Sequence, residues 1–312
     1  LGTAYVIERP DKAIIIDATM GQGSIYRFIR DEVLKNKDID LELVVTHQHN
    51  DHIRGLGAFV GAAQLKKVYV HKDDSAPVIR IMGPDAAKVT LVKDGDSIAL
   101  GGKKMEIIGV PGHSWGCLVM MFENYLFAGD SIGTGYVGVS QMSVEQYIGS
   151  VQHLLDKMGN RTFTILGGHT GECRGPMTEK YAHELMSCAR GLVAGTIIGP
   201  PYWRGGELST RKVATVGSAS ITYAISNVRL IKGALRGLEI SAGALTPAFA
   251  AYNAFYSAQV DRNTATLAIT PTVMAPDHKA LAINGVAVRS GEPHRVSLAP
   301  GDNRSSIVVT AA

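Results

Sequence analysis

The sequence predicts an α+β chain: a layered domain alternating strands with helices, followed by a small all-β sandwich. Apolar strand-like runs alternate with helical patterns over roughly the first 200 residues, as in layered α/β units. Beyond residue 236 the helical period disappears, and short strand patterns punctuated by Gly, Pro, Asn and Asp take over. In order, AYVIERPDKAIIIDATMG reads as two short strands around Pro10-Asp11, then a loop punctuated by Gly21 and Gly23. The spacing of Ile25, Phe28, Ile29 and Val33 predicts a helix over 24–37. LELVVT and KKVYVH are buried strands ending at Thr46 and His71. Residues 88–112 read as a strand, a Gly-Asp turn and a two-strand ribbon around Gly101-Gly102. NYLFAGD and FTILGGH are strands that end on Asp130 and His169. Amphipathic helices are predicted over 144–158 and 177–193. Residues 204–212 read as a solvated loop, and the stretch after them as a closing strand and a linker. The predicted domains are 1–236 and 237–312.

Composition narrows the function classes. With 46% hydrophobic and 19% charged residues in 312, the chain is an ordinary globular protein, neither collagenous nor disordered. Its net charge is +3, and the tail from Leu238 carries five basic and five acidic residues, so the excess sits in the first domain. That excess is too small to make nucleic acid or an anionic membrane a default partner. Apolar runs such as 13–16 fall far short of the roughly 18 residues a membrane span needs. Three cysteines, Cys117, Cys173 and Cys188, make no disulfide framework and are expected as small buried residues. The sequence opens at Leu1 without an initiator Met, a start compatible with removal of a targeting peptide.

The chemistry concentrates at strand ends. THQHNDHIRG places His47, His49, Asp51 and His52 directly after the strand LELVVT. His113 after EIIGVPG, Asp130 after YLFAG, His169 after FTILGG and Asp17 after AIII repeat the pattern. Ligands of α/β sheets bind at strand ends, so these residues point to one shared site. Five His and two Asp exceed the needs of one metal. Two divalent cations fit the number: His47, His49 and His113 on the first, Asp51, His52 and His169 on the second, Asp130 between them. The imidazoles favour Zn, and the carboxylates also suit Mn or Fe. A water shared by two cations has its pKa lowered toward about 7 and can attack a carbonyl or phosphorus without a protein nucleophile. Asp51 is the candidate to orient it and carry its proton, and the Tyr136 hydroxyl the candidate to meet the oxyanion. Tyr202 and Trp203 are candidate pocket walls, whereas His71, His153 and His183 are expected to be structural.

The ordered set Asp17, HxHxDH at His47 to His52, PGH at His113, GD at Asp130 and GGH at His169 resembles the five motifs of the metallo-β-lactamase superfamily over about residues 1–230. The resemblance implies an αββα sandwich with a dinuclear site at its edge, the ligand set above, and Asp17 holding the HxHxDH loop by hydrogen bonds. Asp at position 130 is similar to glyoxalase II and lactonases, whereas many true β-lactamases carry Cys or Ser there. His49 departs from the HxExDH of flavodiiron oxygen reductases. No basic array resembling the glutathione-binding residues of glyoxalase II stands near the end of the first domain. Residues 238–312 resemble a cadherin-like β-sandwich, a module implying export or the cell surface and a supporting, dimerising or attaching role.

Together these readings predict a dinuclear metal-dependent hydrolase of an ester, thioester, lactone or similar small carbonyl compound. Phosphodiesterase or β-lactamase activity, a mononuclear iron persulfide-type dioxygenase and a catalytically silent binding protein remain as alternatives.

Overall fold

The computed structural model describes residues 2–21, 23–173, 177–204, 207–228, 233–249, 255–274 and 278–310, and for 203–210 the backbone alone. The chain divides into two compact units, 1–140 with 144–225, and 141–143 with 226–312.

In the first unit a five-stranded sheet has the order β1 (Tyr5–Glu8), β2 (Lys12–Ile16), β3 (Asp40–Val44), β4 (Leu65–His71), β5 (Val89–Val92). A second runs β11 (Thr164–Gly167), β9 (Tyr125–Ala128), β8 (Leu118–Phe122), β7 (Lys103–Gly109), β6 (Ser97–Leu100). The two-residue alternation of β2 explains how the sheets stack. Ile14 and Ile16 join a core with Val44, Met105, Ile107, Leu118, Met120 and Phe127, which fills the space between the sheets. Ala13 and Ile15 face the other way, into a core with Leu43, Ile53, Leu56, Phe59, Val78 and Met82. That outer core is covered by α1 (Ile25–Phe28), α2 (Asn50–Ile53), the 3-10 segment Arg54–Phe59 and α3 (Ser75–Met82). On the far side, α5 (Val144–Met158) packs on β7 and on α6 (Glu179–Ala194). The result is the predicted αββα layering.

Two elements differ from expectation. The helix predicted over 24–37 begins as expected, with Ser24 accepting from the Arg27 amide, but widens into a π-turn over Ile29–Val33. It stops there because Lys35 and Asn36 take positive φ, outside the helical region. The expected loop over 204–212 is instead mostly strand. A third sheet has the order β10 (Val137–Gly138), β14 (Ala219–Tyr223), β13 (Glu207–Val216), β12 (Pro201–Arg204). Backbone pairing to β12 and β14 carries the polar sequence of β13, which has no clean apolar alternation to betray it.

The second unit holds two three-stranded sheets, β15 (Leu235–Ile240)–β16 (Thr266–Val273)–β19 (His294–Ser297) and β18 (Val286–Ala287)–β17 (Ala280–Ile283)–β20 (Ile307–Thr310). Ile269, Ile283 and Val296 form its small core. Among the described residues no helix is long and apolar enough to cross a membrane.

Candidate metal centre

Strand direction assembles the site. β2, β3 and β4 are mutually parallel. β9 is parallel to β11, and β7 and β9 are both antiparallel to β8, so β7, β9 and β11 also share one direction. The loops after β2 and β3 therefore leave one end of the first sheet, and those after β7, β9 and β11 leave one end of the second. At that edge seven sequence-selected side chains meet: one ligand atom each from His47, His49 and His113 lies within 4.8 Å of the others, and so do those of Asp51, His52 and His169. A third such trio is His47, His52 and Asp130.

Asp130 reaches both sets. Its Oδ2 lies 3.2 Å from His169 Nε2 and 3.4 Å from His113 Nε2, and its Oδ1 lies 3.4 Å from His52 Nε2. It stands in α4 (Gly129–Ile132), entered through Gly129 at φ +48°. A Cβ on Gly129 would sit 2.6 Å from Thr46 Oγ1, and one on Gly168 would sit 2.1 Å from Asp130 Oδ1. Both glycines of the GD and GGH segments are thus needed for close approach.

Hydrogen bonding fixes which nitrogens face the centre. Asp17, 1% exposed, accepts from the Thr46 amide at 2.8 Å, the Thr46 hydroxyl at 2.7 Å and His52 Nδ1–H at 2.8 Å. Because the Thr46 hydrogen goes to Asp17, its oxygen accepts from His47 Nδ1–H at 3.1 Å. His113 Nδ1–H donates to the Gly138 carbonyl at 3.0 Å. His47 and His113 accordingly turn Nε2 inward, 3.0 and 2.8 Å from His49 Nδ1, which can carry at most one proton. Three imidazole nitrogens converge with too few protons to satisfy one another. His52 Nε2 and Asp130 Oδ1 are buried with no hydrogen-bond partner, and their 3.4 Å separation exceeds the 2.7–3.2 Å of a well-formed bond. Convergent lone pairs and orphaned polar atoms fit cations bound at these two places.

The electrostatics separate the two sets. Burial, then the neighbouring imidazoles, holds His47 well below its ordinary range; burial likewise lowers His49, and it lowers His113 to about 4. These three rings are neutral at pH 7. Burial also acts against charge on His52, but Asp17 and Asp130 outweigh it and push this imidazole up to about 10. Hydrogen bonding to Asp130 and Asp51 raises His169 to about 9. Burial opposes ionisation of Asp130, yet the His169 and His52 rings hold it far below the usual carboxylate range. Asp51, in contact with His169 Nε2 at 3.2 Å, is held at about 2 chiefly by that hydrogen bond.

Tyr136 packs edge-on against Tyr202 with ring centroids 5.1 Å apart, on the loop leading to Gly138. The Trp203 side chain lies outside the described residues. His71 Nδ1 accepts from the Asp73 amide at 3.2 Å and caps the 3-10 turn Lys72–Asp74, while His153 pairs with Asp94 at 2.8 Å on the surface. Cys117 and Cys188 are buried as expected; Cys173 is only partly so, its thiol 3.4 Å from the His169 carbonyl. Sequence reading missed Thr46, whose hydroxyl links Asp17 to His47, and Asp74, which is fully buried between the HxHxDH and PGH loops. The DD pair following a strand end at His71 was the available signal for Asp74.

The family model of the metallo-beta-lactamase superfamily matches residues 1–159, and that of the cadherin-like beta sandwich domain matches 235–312. A hydroxyacylglutathione hydrolase of Yersinia pestis (strain Pestoides F) is 30% identical over 154 residues, 48% of this chain and 51% of that protein. One from Photobacterium profundum is 31% identical over 112 residues, 33% of this chain and 39% of its own length. The chain thus spans about half the length of the first of these curated relatives, and less of the second. A solved metallo-beta-lactamase superfamily protein from Sulfolobus tokodaii is similar at 21% identity and TM-score 0.47, covering 66% of this chain and 85% of that one.

Proposed function

The chain belongs to the metallo-beta-lactamase superfamily, and from that premise we propose that its first unit is a dinuclear metal-dependent hydrolase of small carbonyl compounds: esters, thioesters or lactones. One observation carries the reading: Asp130 stands between two trios of ligand-competent side chains, within 3.4 Å of a ring nitrogen in each. His47, His49 and His113 would hold one cation and Asp51, His52 and His169 the other, with Asp130 shared. Zn2+ is the cation we assign, because imidazole dominates the donor set; Mn or Fe suits the carboxylates. Bound there, two divalent cations would lower the pKa of a shared water toward about 7 and polarise the substrate oxygen.

The chain's own residues supply the rest. Asp51 stays ionised, accepts from His169 and, being partly exposed, can orient the attacking water and carry its proton to the leaving group. Asp17 and the Gly138 carbonyl fix the His52 and His113 rings, so the site needs little reorganisation. We assign the Tyr136 hydroxyl to the developing oxyanion; Tyr136→Phe should lower kcat by about 10²-fold, the cost of one oxyanion donor. An unchanged kcat would remove Tyr136 from that role.

Proton linkage gives a further expected result. In the metal-free protein at pH 7, His52 and His169 hold protons, with pKa near 10 and 9, while the first trio holds none. Zn2+ must displace those protons from the second trio, so its affinity there should fall as pH is lowered toward neutrality and below. Calorimetric titration at pH 7 in buffers of different ionisation enthalpy should show one binding step that releases protons and one that releases none. Two steps with no proton release would contradict the assignment.

A substrate panel tests the function itself. The full chain loaded with Zn2+ should hydrolyse a thioester, ester or lactone with kcat/KM at least about tenfold above a phosphodiester or a β-lactam, one unit of discrimination being about 1.4 kcal/mol. A phosphodiester as best substrate, or one iron per chain with oxygen uptake on a persulfide, would overturn it.

A further inference from the structure

The loop between β4 and α3 carries a carboxylate that the proposed chemistry leaves unused. Asp74 is 0% exposed and has no cationic partner among its hydrogen bonds. Its Oδ2 accepts from the Gln48 amide at 3.0 Å and from the Ser114 hydroxyl at 2.5 Å, and its Oδ1 accepts from the Gly116 amide at 3.1 Å. Gln48 lies between His47 and His49; Ser114 follows His113. One buried carboxylate therefore ties together the two loops that supply the three imidazoles of the first trio. Asp17, by contrast, accepts from Thr46 and His52 and reaches the first trio at His47, through the Thr46 hydroxyl, and not at the His113 loop.

The fit around Asp74 is close. A Cβ on Gly116 would stand 2.6 Å from Asp74 Cγ, so the glycine of the HSWG segment admits the carboxylate. His71 caps the turn that delivers Asp74, its ring nitrogen accepting from the Asp73 amide. A buried carboxylate is costly unless it is hydrogen-bonded, and the donors that satisfy Asp74 without a cation partner come from the two loops that carry the first trio.

We propose that Asp74 is a positioning residue for the first cation: by bonding Gln48, Ser114 and Gly116 it sets the separation of the His47/His49 and His113 loops, and so selectively determines affinity at that trio. This rests on the dinuclear reading above. Asp74→Asn separates the role from mere bulk. Each carboxylate oxygen faces a backbone N–H, so whichever way the amide turns, its NH2 opposes a donor and one loop is released.

The test uses the full chain and Zn2+ in competition with a chromophoric chelator, with His113→Ala marking which binding constant belongs to the first trio. Asp74→Asn is expected to weaken that constant about 10–100-fold, as loss of outer partners does, and to leave the second within about twofold. Equal loss at both sites would make Asp74 a general structural residue, and unchanged constants would remove it from the site; either overturns the proposal. If Asp74→Asn does not fold, Ser114→Ala is read the same way: loss of one of three donors should weaken the first constant alone, and wild-type constants would overturn the proposal. A wild-type chain that binds no Zn2+ would instead overturn the dinuclear reading, so the two failures are distinguishable.

Discussion

Asp130→Ala should abolish both the shared cation arrangement and hydrolysis, lowering kcat/KM by more than the roughly 10–100-fold that loss of an outer partner costs. Asp130 is the carboxylate common to both trios, with Oδ2 3.2 Å from His169 Nε2 and 3.4 Å from His113 Nε2, and Oδ1 3.4 Å from His52 Nε2. Without it, five imidazoles and Asp51 would have to hold two dications with no carboxylate shared between them. Fold loss is not the expected route. The substitution removes one of the carboxylates that raise His52 and His169, Asp17 and Asp51 remaining, so these rings hold their protons less tightly and the site is not forced apart. Elemental analysis and far-UV circular dichroism of the variant check this: fewer than two cations per chain with an intact spectrum is the expected pair of results. A variant that keeps two cations and full turnover would show that Asp130 is dispensable.

Asp17→Asn should have the next largest effect, at least about 100-fold on kcat/KM, through the tautomer of a ring it does not share with substrate. Asp17 Oδ1 faces the Thr46 amide, and Oδ2 faces both the Thr46 hydroxyl and His52 Nδ1–H. If the new NH2 takes the Oδ2 position, His52 must give up its Nδ1 proton and carry it on Nε2, the nitrogen that has to be bare for a cation. If it takes the Oδ1 position, it opposes the Thr46 N–H, leaving a buried donor unsatisfied at about 1–3 kcal/mol. Asn tolerates the positive φ of this position, 61°, so backbone strain does not explain the loss. NMR of the ring nitrogens in metal-free wild type and variant, read at a pH above the His52 pKa of about 10 so that the ring is neutral, reports the tautomer; an unchanged His52 tautomer with unchanged affinity for two Zn2+ would refute the account.

Much of this site was legible because its chemistry sits on side chains at predictable places. His47, His49, Asp51 and His52 follow one strand within six residues, and the remaining four close other apolar runs. The strand directions that bring those ends together follow from the βα alternation in the first sheet and the ribbons in the second. The DD pair after the strand end at His71 marks Asp74, but not its role: two of its three donors are the backbone amides of Gln48 and Gly116, and a backbone amide looks the same at every position of a sequence. Thr46 was hidden by its membership of a strand pattern. In the third sheet β14 falls in the stretch read as a closing strand, whereas β13 escapes because Ser209, Arg211 and Lys212 break its apolar alternation and its pairing rests on backbone bonds to β12 and β14. The first helix was overextended because apolar spacing does not register the left-handed Lys35 and Asn36 that end it.

In the proposed reaction these seven side chains hold a pair of cations that turnover cannot do without. The most direct test measures metal content and turnover of the full chain on one preparation, before and after exhaustive chelation and again after adding Zn2+. Two equivalents per chain at the start, turnover lost with the cations and restored at two equivalents is the predicted result. Undiminished turnover in the fully chelated protein would contradict it.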